Sequence, residues 1–114
     1  MTRILLLHRG VADYDGVDWR GTPYPTAEAL FADMAEDQPG YGVWWTDEPS
    51  MAAFYGGAGV VVSAWFAATA VVEPDDASGL VVARGTVGTV ERVTAGVAGR
   101  RVELPHTPGL TVTT

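Results

Sequence analysis

The stretch GVWWTDEPSMAAFYGG, residues 42–57, decides the organisation of the chain because a strand pattern changes to a helix pattern within it. Residues 41–46, YGVWWT, are typical of a strand. Asp47 can then cap a helix that has Pro49 in its first turn and that runs to the glycine pair at 56–57. The stretch therefore predicts a strand followed directly by a short helix.

The two adjacent tryptophans in this stretch cannot perform the same task. Side chains alternate between the two faces of a strand, so Trp44 and Trp45 point in opposite directions. A helix rises about 1.5 Å per residue, which places Tyr55 roughly two turns beyond the cap. We expect Trp45 to be part of the core, and Trp44 and Tyr55 to face each other across a slot for a flat ligand.

The patterns on either side predict an α+β domain. RILLLH at 3–8 is a buried strand, and apolar residues at helical spacing predict a helix over Thr26–Glu36 that stops at Pro39-Gly40. Residues 59–72 form one long strand or a bent pair, followed by a turn at 73–79. Further strands are expected at 80–83, 86–93, 100–104 and 110–113. Early helices followed by consecutive strands favour α+β over a parallel α/β sheet.

The amino-acid composition favours some classes of protein and disfavours others. With 114 residues, 47% of them hydrophobic, and four Trp, we expect one folded domain covering residues 1–114. Seven Arg and no Lys stand against fourteen acidic residues, and the resulting net charge of −7 disfavours binding to a nucleic acid backbone. There is no Cys and there are only two His, so we expect no metal site.

Residues 51–72 carry no charge and are long enough to span a bilayer. A Gly-rich break, acidic flanks and the lack of a nearby basic anchor favour a soluble interpretation. The first apolar run ends at His8, too early for the core of a signal peptide. We therefore expect a cytoplasmic protein that makes no membrane contact.

Three short segments stand out as a possible site. The first strand ends in HRG at 8–10, where Gly10 is expected to let a ligand approach the backbone. The second strand ends in WWTD at 44–47, and a late strand carries TVERV at 89–93. Within the last segment, Glu91 stands among apolar neighbours, where burial without a partner is unfavourable.

In this order the three segments resemble the ADP-ribosyltransferase fold family. The middle segment is similar to the strand-helix segment of diphtheria-toxin-like transferases, with Trp44 at the first aromatic position, Thr46 in the turn and Tyr55 at the second tyrosine. The alanine pair at 52–53 also matches. The resemblance implies a compact split β-sheet core with two short helices in the N-terminal half.

The flanking segments complete the resemblance. Arg9 stands where the toxin branch has His and the Arg-Ser-Glu branch has Arg, and Glu91 matches the Val-Glu strand of the third motif. Thr89 stands two residues before Glu91, so the paired Glu-x-Glu or Gln-x-Glu of arginine-directed enzymes is missing. The resemblance therefore does not identify the acceptor.

The resemblance implies an NAD-dependent mono-ADP-ribosyltransferase that uses NAD as its substrate, needs no metal and modifies a macromolecule, for which a protein is the expected class. Its small size fits an effector of a phage or toxin system. Glu91 and Arg9 are the expected catalytic residues. The residues expected to bind NAD are Arg9, Gly10, Trp44, Thr46 and Tyr55.

Several alternatives remain open from the residues alone. An NAD glycohydrolase would use water in place of the acceptor, and an inactive binding or inhibitor module would keep the fold without the chemistry. Glu73, at the start of a turn, and Glu103, which looks solvent-facing, are weaker rivals of Glu91. His8 is interpreted as a strand residue rather than a catalytic one. The oligomeric state cannot be read from the sequence.

Overall fold

A computed structural model of the chain describes residues 3–37, 42–57, 59–74 and 79–114. Over these ranges the chain forms two α-helices, a short 3₁₀-helix and eight strands. The elements are β1 (Ile4–Val11), α1 (Ala27–Asp37), β2 (Trp44–Trp45), α2 (Pro49–Gly56), β3 (Val60–Ala67), the 3₁₀-helix (Ala68–Ala70), β4 (Val71–Pro74), β5 (Leu80–Val82), β6 (Val87–Val97), β7 (Arg100–Glu103) and β8 (Thr111–Thr113). The predicted α+β class and the two helices in the N-terminal half are confirmed.

The strands form two antiparallel sheets. The larger sheet has the order β1-β3-β6-β7, with β8 also paired to β6, and the smaller sheet has the order β2-β5-β4. β1 and β3 pair along their full lengths, from Ile4 opposite Ala67 to Val11 opposite Val60. The pairing of β3 with β6 is interrupted by a bulge at Ser63/Ala64, where Glu91 is the extra residue.

Within the described ranges, one backbone bridge joins the two sheets. The amide of His8 donates to the carbonyl of Thr46 at 2.7 Å, and the amide of Thr46 donates back to the carbonyl of His8 at 2.9 Å. This is an isolated antiparallel bridge, so β1 and the end of β2 are paired at one point only. The arrangement leaves a gap between β1 and β2 beyond His8.

The core lies on one face of the larger sheet. Alternate residues of β3, from Val60 to Phe66, belong to a single buried cluster together with Leu30 and Met34 of α1. Trp45 is 2% exposed and packs edge-on against Phe66, with the ring centroids 4.8 Å apart. Trp44 is 54% exposed. The prediction that Trp45 belongs to the core and Trp44 does not is therefore confirmed.

Most of the predicted elements are confirmed, with small shifts at their ends. α1 begins directly after Thr26, whose hydroxyl oxygen accepts the amide of Ala29 at 3.2 Å. The stretch 59–72 is the bent pair rather than one strand, because the 3₁₀-helix separates β3 from β4. The helix stop at Pro39-Gly40 and most of the turn at 73–79 lie outside the described residues.

Two predictions around the second strand are wrong in detail. The strand predicted at 41–46 is reduced to Trp44–Trp45, because Gly42 has a φ of 80° and leaves the extended conformation. The residue that caps α2 is Glu48 rather than Asp47, and it makes no side-chain cap. The hydroxyl of Thr46 instead accepts the amide of Glu48 at 3.1 Å, which turns the chain one residue before Pro49.

Within the described ranges, no helix combines the length and the apolar character that crossing a bilayer requires.

The close approach of α2 to β1 depends on a glycine. A Cβ atom built on Gly10 would collide with the carbonyl oxygen of Ala52 and would lie 2.7 Å from the Cα of Gly56. Neither obstacle is a flexible side-chain end, so the helix would have to move. From the sequence, Gly10 was expected to let a ligand approach the backbone, and the structure shows that the helix backbone takes this space.

We expect Gly10→Ala to destabilise the protein by about 3 kcal/mol, because the added methyl overlaps backbone atoms of α2. Urea unfolding followed by circular dichroism measures the loss. Gly21→Ala is the control: its Cβ would meet nothing within 4 Å, and the residue's positive φ of 81° alone predicts a loss of about 1 kcal/mol. Equal losses in the two variants would contradict the close packing of α2 on β1.

Candidate functional site

A pocket with a volume of about 330 Å³ opens between β1, β2 and α2. Its wall includes all five residues that the resemblance assigns to NAD binding, which are Arg9, Gly10, Trp44, Thr46 and Tyr55. The remaining lining residues are His8, Trp45, Met51, Ala52 and Gly79. Three segments that are distant in sequence thus form one concave surface.

The pocket follows from the single bridge between the sheets. After His8 pairs with Thr46, β1 continues along β3 while the chain beyond Thr46 turns into α2. The helix then returns over Gly10, which brings Tyr55 to the same opening as Trp44. The strand-turn-helix order of residues 42–57 therefore builds both the aromatic rim and one wall.

Two large aromatic rings are available to a ligand at this opening. Trp44 is 54% exposed and Tyr55 is 62% exposed, although both are large enough to be favoured in a core. Phe54 contacts Tyr55 edge-on, with the centroids 5.6 Å apart, and does not line the pocket. Exposed rings beside an otherwise apolar pocket fit the recognition of a flat ligand.

Arg9 supplies positive charge to the pocket wall. Its side chain is half-buried, and Nη1 donates to the carbonyl oxygen of Trp44 at 2.7 Å. Among the described residues, the buried Nε has no hydrogen-bond partner. Burial lowers the pKa of Arg9, yet a guanidinium stays protonated at neutral pH. Arg9 therefore bridges the gap between β1 and β2 and places a positive charge in the pocket wall.

His8 is a site residue that the sequence did not indicate. It lines the pocket, is buried, and its Nδ1 lies 2.6 Å from the hydroxyl oxygen of Ser63. Burial lowers the pKa of His8, the charge of Arg92 lowers it further, and Asp47 opposes both. His8 is therefore neutral at pH 7. Ser63, the hydrogen-bond partner of His8, is 55 residues away in the chain, so no local pattern predicts this pair. The one sequence signal for His8 as a site residue is its position at the end of an apolar strand.

Glu91 does not line the pocket. It lies in the bulge of β6, is exposed, and its Oε2 accepts a hydrogen bond from Nε1 of Trp65 at 2.9 Å. Trp65 follows Ser63 by two residues on β3, so Glu91 shares a face of the sheet with His8. Two strand spacings of about 4.8 Å separate β6 from β1, which puts the backbone of Glu91 roughly 10 Å from that of His8.

Of the two rival glutamates, Glu103 has a described side chain and does not line the pocket. Glu103 is exposed, as expected, and its Oε1 lies 3.1 Å from Nε of Arg92. Glu73 belongs to β4, and its side chain lies outside the described part of the structure. Asp47 directly follows the lining residue Thr46 and is the carboxylate whose charge reaches His8.

A second, larger cleft of about 790 Å³ is lined by several acidic residues. Their carboxylates form hydrogen bonds within the neighbouring loop. Asp15 and Asp18 accept backbone amides of the segment 17–22, and Asp33 accepts the hydroxyl of Tyr24 at 2.7 Å. Burial and this bond raise the pKa of Tyr24. Because these carboxylates hold the loop together, the smaller aromatic pocket is the better candidate site.

Among the described residues, no group of three or more His, Asp or Glu side chains could hold a metal ion.

No family model matches this chain, and neither a curated protein nor a solved structure matches it.

We expect stability to fall as the pH is lowered from about 7.5 to 5.5, in part through His8. The unfolded chain binds a proton at His8 near the ordinary pKa of 6.5, whereas the folded protein binds it only at lower pH. The free energy of unfolding therefore decreases as the pH falls below 6.5. The decrease ends once the pH is below the lowered pKa of His8 in the folded protein. Urea midpoints measured across this range should fall less steeply for His8→Gln than for the original protein.

His106 provides the opposing control. A hydrogen bond to the carbonyl of Thr107 raises its pKa, so its contribution is present at low pH and is lost as the pH rises through that pKa. His106→Gln should therefore make the fall on acidification steeper. Identical pH slopes for His8→Gln and the original protein would contradict a buried neutral His8.

Proposed function

We propose that this protein binds the nicotinamide end of NAD in the pocket between β1, β2 and α2, and transfers ADP-ribose to a macromolecular acceptor, a protein. One observation carries the proposal. Five residues that the resemblance nominated from two segments, which are distant in the chain, all line the same pocket. The middle segment also places two exposed aromatic rings, Trp44 and Tyr55, in the wall of this pocket.

The pocket chemistry suits a positively charged aromatic ring. The oxidised nicotinamide ring is planar and cationic, and Trp44 and Tyr55 can each contribute about 1 kcal/mol through stacking and cation–π attraction. Arg9 lies in the pocket wall and has the charge to hold a phosphate or a ribose oxygen. The volume of about 330 Å³ is near the lower limit for small-molecule sites, so it would hold one end of the dinucleotide.

The proposed reaction replaces one bond to the ribose by another. The bond between C1′ and the nicotinamide nitrogen breaks, and its electron pair leaves with nicotinamide. C1′ develops positive charge, as in glycoside cleavage, and a lone pair of the acceptor forms the new bond while the acceptor loses a proton. In this scheme Glu91 stabilises the charge near the ribose, and no metal takes part.

The position of Glu91 favours a second candidate function. Because this carboxylate lies on β6 and outside the pocket wall, a module that binds NAD or a related aromatic ligand without cleaving it also fits the geometry. Such a module would need the aromatic rim and Arg9 but not Glu91. The two functions differ in one observable, the breaking of the nicotinamide bond.

Incubation with NAD labelled in its adenylate part, in the presence of a cell lysate, separates the candidates. Label on a macromolecule supports the transferase, and release of free ADP-ribose identifies an NAD glycohydrolase. Binding of NAD without either product identifies the binding module. Absence of NAD binding in a direct calorimetric titration would overturn the proposal itself.

We expect Trp44→Ala and Tyr55→Ala each to weaken NAD binding about fivefold, which corresponds to about 1 kcal/mol per ring. Phe54→Ala is the matched control, because Phe54 is an exposed neighbour of Tyr55 outside the pocket wall. Calorimetry gives the three affinities. Equal affinities for all three variants would place the nicotinamide elsewhere.

We expect Glu91→Gln to abolish transfer while leaving NAD binding and stability unchanged. The amide oxygen of Gln can still accept the bond from Nε1 of Trp65, so the substitution removes charge rather than structure. Glu103→Gln is the control for loss of a surface carboxylate. Transfer by Glu91→Gln at the original rate would remove Glu91 from the mechanism.

A further inference from the structure

A buried polar pair lies beside the pocket. His8 and Ser63 face each other in register across β1 and β3, and both side chains are buried. The His8 Nδ1 to Ser63 Oγ distance of 2.6 Å is short, so one of the two atoms donates a hydrogen to the other. The direction of this bond decides which nitrogen of His8 carries its proton.

Ser63 is the better donor. Its hydroxyl has one hydrogen and, among the described residues, Nδ1 of His8 is its only hydrogen-bond partner. If Nδ1 carried the proton, the hydroxyl hydrogen would be buried without an acceptor, which is unfavourable. Donation from Ser63 satisfies the hydroxyl and leaves the imidazole proton on Nε2.

The surroundings of His8 favour this neutral form. Burial lowers the pKa of His8 most, and the charge of Arg92 from β6 lowers it further. Asp47, from the turn after β2, acts in the opposite direction. From α2, the pocket is lined by the uncharged residues Met51, Ala52 and Tyr55. Nε2 makes no hydrogen bond within the described part of the chain, and His8 is one of the residues that line the pocket.

We propose that Ser63 is a positioning residue, which holds His8 as the tautomer protonated at Nε2 so that the pocket presents a hydrogen-bond donor to an oxygen atom of the ligand. Ser63 itself does not line the pocket and acts only through His8. The inference rests on the proposed function for the identity of the ligand, NAD, but the tautomer is a property of the free protein.

Nitrogen NMR of the imidazole rings tests the tautomer without any ligand. The chain has only two histidines, so His106→Gln assigns the signals of His8. At about pH 7.5 we expect the original protein to show a protonated Nε2 and an unprotonated Nδ1 at His8. In Ser63→Ala we expect a shift towards a mixture of the two tautomers, and in Ser63→Thr, which keeps the hydroxyl, the original pattern. A proton on Nδ1 in the original protein, or an unchanged spectrum in Ser63→Ala, would overturn the proposal.

Calorimetric titration with NAD tests the consequence for binding. We expect Ser63→Ala to bind NAD roughly fivefold more weakly, the loss of about one hydrogen bond, and Ser63→Thr to recover most of this. A changed tautomer with unchanged affinity would overturn the role of His8 as a donor to the ligand. If the original protein does not bind NAD, the proposed function fails, and the spectra still decide whether Ser63 fixes the tautomer. Even if Ser63→Ala does not fold, the spectrum of the original protein shows which nitrogen of His8 carries the proton.

Discussion

Two backbone hydrogen bonds between His8 and Thr46 are the constraint on which this structure depends. Among the described residues they form the one backbone bridge between the larger sheet and the smaller one, and the strands separate on the pocket side of this bridge. Arg9 spans the gap by bonding to the carbonyl of Trp44, and α2 closes it by packing on Gly10. One local pairing thus places a cation, a neutral histidine and two exposed aromatic rings around one cavity.

Much of this arrangement could be predicted because it depends on local patterns. The alternation of side chains on a strand separates Trp44 from Trp45, and glycine stops, apolar runs and helical spacing locate the elements to within a few residues. The five pocket residues lie in the two segments where strands end, and a strand end followed by a helix is a local feature. The sequence therefore contains most of the site.

The rest could not be predicted because it depends on contacts between distant segments. The partner of His8 is Ser63, and no local pattern joins them. The TVERV motif indicates a polar residue on a strand, but it does not show that β3 lies between that strand and β1, or that a bulge turns Glu91 towards Trp65. Likewise, Gly10 looks like an opening for a ligand until the helix that fills the space is known.

The proposed function places the nicotinamide ring of NAD between Trp44 and Tyr55. The most direct measurement is the detection of nuclear Overhauser effects between the ring protons of nicotinamide and protein protons in the complex with NAD. We expect contacts to the indole of Trp44 and to the phenol ring of Tyr55, with none to Phe54. Contacts to Phe54 or to the acidic cleft around Asp18, without contacts to Trp44 and Tyr55, would contradict it.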